Sequence, residues 1–335
     1  MRKFAFFIHP RDVTDIARRF WWAGYLPDAV LLKGIKLLKN MPGKCVCSSF
    51  TVYGKSQGFI ITIPFTASEL IGSRMEARKV LLKYVLYAQD TLGVEVIGLG
   101  ALTSYITERG NWLSTQDNVN VEITTGNSYT VVKTIEGVEK IIEAKMYTKP
   151  TIGIAGATGN IGSSLAGILS KKENCSLILI GRDDKRLKDI AKNLPGNSII
   201  GRSLELLKAA DIVITATNHP EALINEECLK ENAVIYDLAQ PSNVFSSVLQ
   251  KRPDVIRIDG GYVCIPGIEL GFNMGPPKGT TFACMTETIL KTLAGIPGHH
   301  IGDIDLVYAE KLKEIGSKYG FFHAPFTCYG KPVEL

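Results

Sequence analysis

Cys284 stands in the run Gly279-Thr280-Thr281-Phe282-Ala283-Cys284-Met285-Thr286-Glu287. The spacing predicts a helix over Thr281 to Leu293, with an apolar face through Phe282, Ile289, Leu290 and Leu293 and a stop at Gly295 before Pro297. Thr280 or Thr281 would cap it, and either cap puts Cys284 in the first turn. The partial positive charge there favours thiolate. A free thiol with a pKa of about 8.5 is only a few per cent ionised at neutral pH, so such a bias would suit a nucleophile. The same spacing also suits an ordinary buried cysteine.

A second constellation is Gly156-Ala157-Thr158-Gly159-Asn160-Ile161-Gly162. It follows the apolar strand Thr151 to Ala155 and opens a helix running from Ile161 to Ser170, which is the context a dinucleotide-binding turn needs. Gly156 permits the tight turn, Gly159 lets backbone approach a pyrophosphate, and Gly162 lets helix and strand pack closely. The helix start, including Thr158, Asn160 and Ile161, faces the phosphates. The next strand ends in Ile180-Gly181-Arg182-Asp183-Asp184-Lys185-Arg186. Arg182, backed by Arg186, suits the 2′-phosphate of NADPH, a charge-assisted contact of about 1.5–3 kcal/mol. Asp183 keeps NAD open. Thr215, Ala216 and Thr217 close a later strand where ribose and nicotinamide should lie. His219, before Pro220, could act as an acid or simply be solvated.

These residues need elements to hold them. From residue 150 onward the pattern is strand–helix alternation: strands at 151–155, 176–180, 197–200, 212–216, 234–238 and 255–258, with helices at 161–170 and 184–193. This predicts a doubly wound parallel sheet. The first part reads as an α/β unit of its own. It has a first strand from Phe4, helical spacing over 12–20 and 29–40, and a hairpin of 45–53 and 59–65 across Gly54 to Gly58. A long helical stretch over 68–92, with Ser68 as a plausible cap, and a buried strand over 94–102 complete it. Residues 127–146 read as a helix. The expected division is 1–126 as an α/β substrate or carrier domain, 127–262 as a Rossmann domain, and 263–335 as a C-terminal helical segment carrying Cys284.

Composition sets outer bounds. At 335 residues, 45% hydrophobic and 21% charged, the chain is an ordinary globular protein. A net charge of +5 without dense Lys/Arg tracts argues against a nucleic-acid partner. No apolar run reaches the roughly 18 residues a membrane span needs. The stretch Phe4 to Ile8 is too short for a signal peptide. Seven cysteines with no CxxC pair fit a reducing, cytoplasmic setting and show no zinc pattern. Cys45 and Cys47 share a face, which suits packing better than a metal.

Taken together, the residues resemble the long-chain acyl-[acyl-carrier-protein] reductases, the fatty-aldehyde-forming family of cyanobacterial type. The likeness runs through Phe4 to His9, Ala77-Arg78-Lys79-Val80-Leu81 with Ala88-Gln89, Leu102-Thr103-Ser104 and Thr124-Thr125-Gly126-Asn127. It continues through the glycine turn, Arg182, Phe282-Ala283-Cys284 and the ending Ala309 to Gly320. The resemblance implies that Cys284 takes the acyl group from an acyl carrier protein or coenzyme A thioester and that NADPH reduces it to an aldehyde. Thr103, Ser104 and Asn127 are candidate substrate contacts. Gly267 to Lys278 and Tyr236 to Pro241 depart from the family pattern near the expected acyl pocket. Arg74, Arg78, Lys79 and Lys83, and Lys33, Lys36 and Lys39 beside Trp21 and Trp22, offer basic helix faces for a carrier or a peripheral membrane contact, with the tryptophans more in keeping with a core. Two other readings remain: a shikimate-dehydrogenase-like enzyme acting on a small polar substrate, with Cys284 incidental, and a non-catalytic NADP-sensing or carrier-binding protein.

Overall fold

The structure, a computed structural model, describes residues 1–18, 20–196 and 198–335, residue 18 by its backbone alone. The chain divides into two compact units: Met1–Tyr129 with Val263–Phe322, and Thr130–Tyr262 with His323–Leu335. The C-terminal stretch read as 263–335 is therefore shared between them.

The first unit is built on a five-stranded sheet of order β2-β3-β1-β4-β5. Its strands are β1 (Arg2–Ile8), β2 (Val46–Val52), β3 (Ser56–Thr62), β4 (Val96–Leu99) and β5 (Glu122–Thr124). All neighbours are parallel except the β2–β3 hairpin. Because β1 is central, Phe4, Ala5, Phe6 and Phe7 are all buried, the continuous apolar run expected of a strand covered on both faces. One face, with Ala5, Phe7, Ile61 and Ile97, packs against Ala77, Leu81, Tyr84 and Ala88.

The helices differ from the expected ones in instructive ways. Residues 12–20 form no α-helix: a 3-10 turn covers Val13–Arg18, another covers Trp21–Tyr25, and residue 19 lies outside the described residues. The first α-helix is α1 (Asp28–Leu38). The stretch expected as one helix from Ser68 is two, α2 (Ala67–Gly72) and α3 (Arg74–Asp90), broken at Ser73 after the weak helix former Gly72. The cap is Thr66, not Ser68. Its hydroxyl accepts from the Glu69 N–H, and Glu69 accepts from the Thr66 N–H at 3.0 Å. The buried strand stops at Leu99, and Leu102 already begins α4 (Leu102–Ile106), followed by α5 (Asn111–Ser114).

Helix α6 (Asn127–Ala144) leads into the second unit. Its six strands are β6 (Thr151–Ala155), β7 (Ser176–Ile180), β8 (Ser198–Gly201), β9 (Ile212–Thr215), β10 (Val234–Asp237) and β11 (Ile256–Asp259). They lie in the order β11-β10-β9-β6-β7-β8, parallel throughout, which is the Rossmann order. The strand expected at 197–200 begins on a residue outside the described ones. Its helices are α7 (Asn160–Leu169), α8 (Asp184–Lys192) and the short α9 (Val248–Lys251).

Two further helices belong to the first unit: α10 (Ala283–Leu293) and α11 (Leu306–Lys318), the latter capped by Asp305. α10 lies on β1 and β4. It sits so close that a Cβ at Gly98 would overlap the Thr288 hydroxyl, so only glycine fits there. Among the described residues no helix is long and apolar enough to cross a membrane.

Candidate active site

In the first unit, the carboxyl ends of the parallel strands β4 and β5 converge with the start of α10. After β4 the chain turns at Gly100 and Ala101, the latter held at φ 46°. After β5 it turns at Thr125 and Gly126. The α10 cap is Phe282, and Thr280–Phe282 is a strand, so neither Thr280 nor Thr281 caps the helix as expected. Cys284 is its second residue. Gly126, at φ 75°, lies against it: a Cβ there would fall 2.6 Å from the Cys284 carbonyl oxygen and overlap its Cα and Cβ. That is the physical content of the glycine in Thr124-Thr125-Gly126-Asn127.

Part of Cys284 reaches the surface, yet burial dominates its thiol and pushes it up to about 12. The N–H groups of Met285, Cys284 and Ala101 pull the other way, and the charge of Glu287 adds to the rise. The helix start does aim donors at the sulfur, but desolvation outweighs them. The expected thiolate bias is corrected: at neutral pH this sulfur carries its proton.

Glu287, one turn along from Cys284, is fully buried. Its Oε1 accepts from the Thr124 hydroxyl and its Oε2 from the Tyr129 N–H at 2.8 Å. Burial pushes its carboxyl up to about 7, against the pull of Thr124 and of the Tyr129, Gly126 and Ser128 N–H groups. A further turn on, Lys291 is also fully buried, with Nζ 3.1 Å from Glu122 Oε2 and 2.6 Å from the carbonyl oxygens of Ile296 and Gly298. Tyr308 of α11 stacks on His300 at 3.4 Å beside Thr124. Sequence reasoning read only the apolar face of α10. The missed signal was the Cys284, Glu287, Lys291 stripe, three polar residues at helical spacing in a helix buried on nearly every side.

The expected substrate contacts scatter in role. Thr103 donates its hydroxyl to the Gly100 carbonyl at 2.7 Å and so holds the turn that presents Ala101. Ser104 is buried in α4, and Asn127 is the first residue of α6. His9, at the end of β1, accepts the Leu102 N–H on Nε2 at 3.4 Å, with Nδ1 2.9 Å from the Pro10 carbonyl.

In the second unit the glycine turn takes the expected form. Gly156 has φ 93°, and a Cβ there would lie 2.5 Å from the Ala216 carbonyl, so the turns after β6 and β9 meet at backbone level. A Cβ at Gly162 would overlap the Gly156 carbonyl and lie 2.9 Å from the Ala157 Cα. Gly159 caps α7, whose first residues are Asn160 and Ile161, and Thr158 lies against Gly181. Backbone N–H groups at a helix start, with room that only glycine leaves, fit a pyrophosphate. Arg182, just past β7, and Arg186, in the first turn of α8, are both exposed. The Asp183 carboxylate caps α8 by accepting the Arg186 N–H at 3.0 Å.

Thr215 ends β9, and the hydroxyls of Thr215 and Thr217 are both hydrogen-bonded within the second unit. The Thr215 hydroxyl donates to Asp237, and that of Thr217 to Asn243 Oδ1 at 2.6 Å. Arg257 joins Asp237 to Asp259 through contacts of 2.8 and 2.6 Å, both buried. This network braces the strand ends. It gives Asp237, within the divergent stretch Tyr236 to Pro241, a bracing role. The His219 Nδ1 accepts the Glu221 N–H at 3.2 Å, holding a turn.

The basic helix faces are largely spent internally. Arg74 and Arg78 both bind Glu108, at 3.1 and 2.7 Å, while Lys39 pairs with Glu76 at 2.8 Å and Lys83 donates to Asn40 at 3.0 Å. Lys33, Lys36 and Lys79 remain exposed. Trp21 and Trp22 are not core: they are 76% and 50% exposed, with neighbouring Tyr25 at 82%. Cys45 is buried beneath the Tyr84 hydroxyl at 3.2 Å, and Cys47 contacts Thr62. Among the described residues no group of three ligating side chains could hold a metal.

Comparison with known proteins adds a family model and a full-length relative. The model described as shikimate / quinate 5-dehydrogenase matches residues 136–260, all within the second unit. A long-chain acyl-[acyl-carrier-protein] reductase of Synechococcus elongatus is 28% identical over 92% of this chain and 94% of its own. A glutamyl-tRNA reductase of Methanocaldococcus jannaschii is 31% identical, but over only 29% of this chain and 25% of its own. The structure of quinate dehydrogenase from Corynebacterium glutamicum in complex with NAD covers 93% of this chain and 98% of its own at 13% identity, with a TM-score of 0.41, too slight a likeness to bear on the site. The chain is thus similar to a reductase along nearly its whole length, at modest identity.

Proposed function

We propose that the protein is an NADPH-dependent reductase that takes an acyl group from a carrier-protein thioester onto Cys284 and releases it as an aldehyde. The broader reading, an NAD(P)-linked oxidoreductase, rests on the Rossmann unit, its glycine turn and the reductase relatives. The dehydrogenase model speaks for the second unit alone and does not reach Cys284.

The observation that carries the finer reading is the seating of Cys284. A thiol at a helix start, faced by the N–H groups of Met285 and Cys284 from its own helix and of Ala101 from the turn after β4, and approached by Gly126, sets a nucleophile beside donors for an oxyanion. Cys284 attacks the thioester carbonyl, the carrier's sulfur leaves, and the acyl group stays covalently held. The dinucleotide, cradled by Gly156, Gly159 and Gly162 with Arg182 at its 2′-phosphate, supplies the hydride when bound. Exposed Lys33, Lys36 and Lys79, with Trp21 and Tyr25, offer an acidic carrier a basic and aromatic surface.

Cys284→Ala tests this. Turnover of acyl-carrier thioester with NADPH should vanish while NADPH binding is retained. Turnover that survives the substitution would dismiss the thioester reading and leave the dinucleotide site standing.

A further inference from the structure

The resting thiol poses a problem that Glu287, one turn along α10, answers. A sulfur whose burial holds its proton cannot be ionised in advance, so the proton must leave as the bond to the acyl carbon forms. We propose that the buried Glu287 carboxylate receives the Cys284 proton during acyl capture and returns it to the departing thiol. The inference deepens the function proposed above and rests on it.

Placement carries the argument. Residues three apart on a helix have Cβ atoms about 5–6 Å from one another on the same face. Gly126 ties the two together: its Cα side abuts Cys284, and its N–H is among the donors facing Glu287. Thr124 and the Tyr129 N–H fix the carboxylate from β5 and the start of α6. The other titratable groups that act on it leave it in charge of the proton. Lys291 on α10 is committed to Glu122, and Tyr308 on α11 is held protonated by burial. His300, stacked on Tyr308, is kept neutral, pushed down to about 4 by burial. An acceptor that ionises near neutrality is matched to its task.

The step balances. The Cys284 S–H proton passes to Glu287, a bond forms between sulfur and the acyl carbon, and the carbon–sulfur bond of the carrier thioester breaks. The leaving thiolate then takes the proton from Glu287, which is again ionised. No electrons change hands in this half.

Alkylation of Cys284 by iodoacetamide, followed by peptide mass spectrometry across pH, reads the same proton without thioester or dinucleotide. The rate at Cys284 should rise through a midpoint near the Glu287 value of about 7. In Glu287→Gln that limb should disappear, with a loss on the order of a hundredfold above neutrality. Thr124→Val, which removes a hydrogen bond to the ionised carboxylate, should move the midpoint upward, and it stands in should Glu287→Gln fail to fold. A midpoint that persists in Glu287→Gln, or stays put in Thr124→Val, would overturn the proposal. Acyl capture by Cys284 would then still be judged by its own test.

Discussion

Both units place their candidate sites where open α/β sheets place them, at the carboxyl ends of parallel strands, yet they build them from opposite materials. In the second unit the site is backbone: Gly156, Gly159 and Gly162 clear room, and the start of α7 supplies the donors. Its helix follows its strand directly, so strand, turn and helix are one continuous stretch of sequence. In the first unit the site is side chains, the half-buried Cys284 with the fully buried Glu287 and Lys291, on a helix that returns from the far end of the chain to lie against β4 and β5. A phosphate cradle tolerates solvent and needs only geometry. A nucleophile's environment is set by what excludes water from it, and here that exclusion keeps the thiol protonated.

The contrast can be broken with matched glycine substitutions, which carry the largest expected effects. Gly126→Ala adds a Cβ at positive φ against Cys284. The strain and overlap together should cost about 2–4 kcal/mol and should suppress acylation of Cys284 while NADPH titration is unchanged. Gly162→Ala should do the reverse, weakening NADPH binding by at least about a hundredfold, or about 3 kcal/mol, with Cys284 labelling intact. If either change disabled both readouts alike, the two sites would not be built independently. A smaller effect sharpens the cofactor side. Arg182→Ala should weaken NADPH by about 10–100-fold, the 1.5–3 kcal/mol of a charge-assisted contact, and leave NADH unchanged. Equal loss for both nucleotides would remove Arg182 from the 2′-phosphate.

The same contrast explains what could be read from the chain. The Rossmann sheet and its turn were legible because each depends on near neighbours: an apolar strand, three glycines and a helix. Cys284 was legible only as a cysteine near a helix start. Its cap, Phe282, ends a short strand, the N–H of Ala101 reaches it from the turn after β4, and spacing along α10 could not say that Thr124 of β5 would meet Glu287. Arg78 shows the limit from the other side. It looked like a docking charge on an exposed helix face, yet it is buried against Ile106, Glu108 and Trp112, because a helix face is basic or committed only once its neighbours are known. Trp21 and Trp22 show the converse: expected in a core, they meet the neighbouring rings of Tyr25 and Phe20 and stay 76% and 50% exposed.

Incubation of the whole protein with acyl-carrier thioester in the absence of NADPH, followed by intact-mass and peptide mass spectrometry, addresses the central claim most directly. One acyl mass should appear on the peptide bearing Cys284, and adding NADPH should discharge it as aldehyde. Protein that stays unmodified across a series of acyl chain lengths, or that carries the acyl group on another residue, would contradict it.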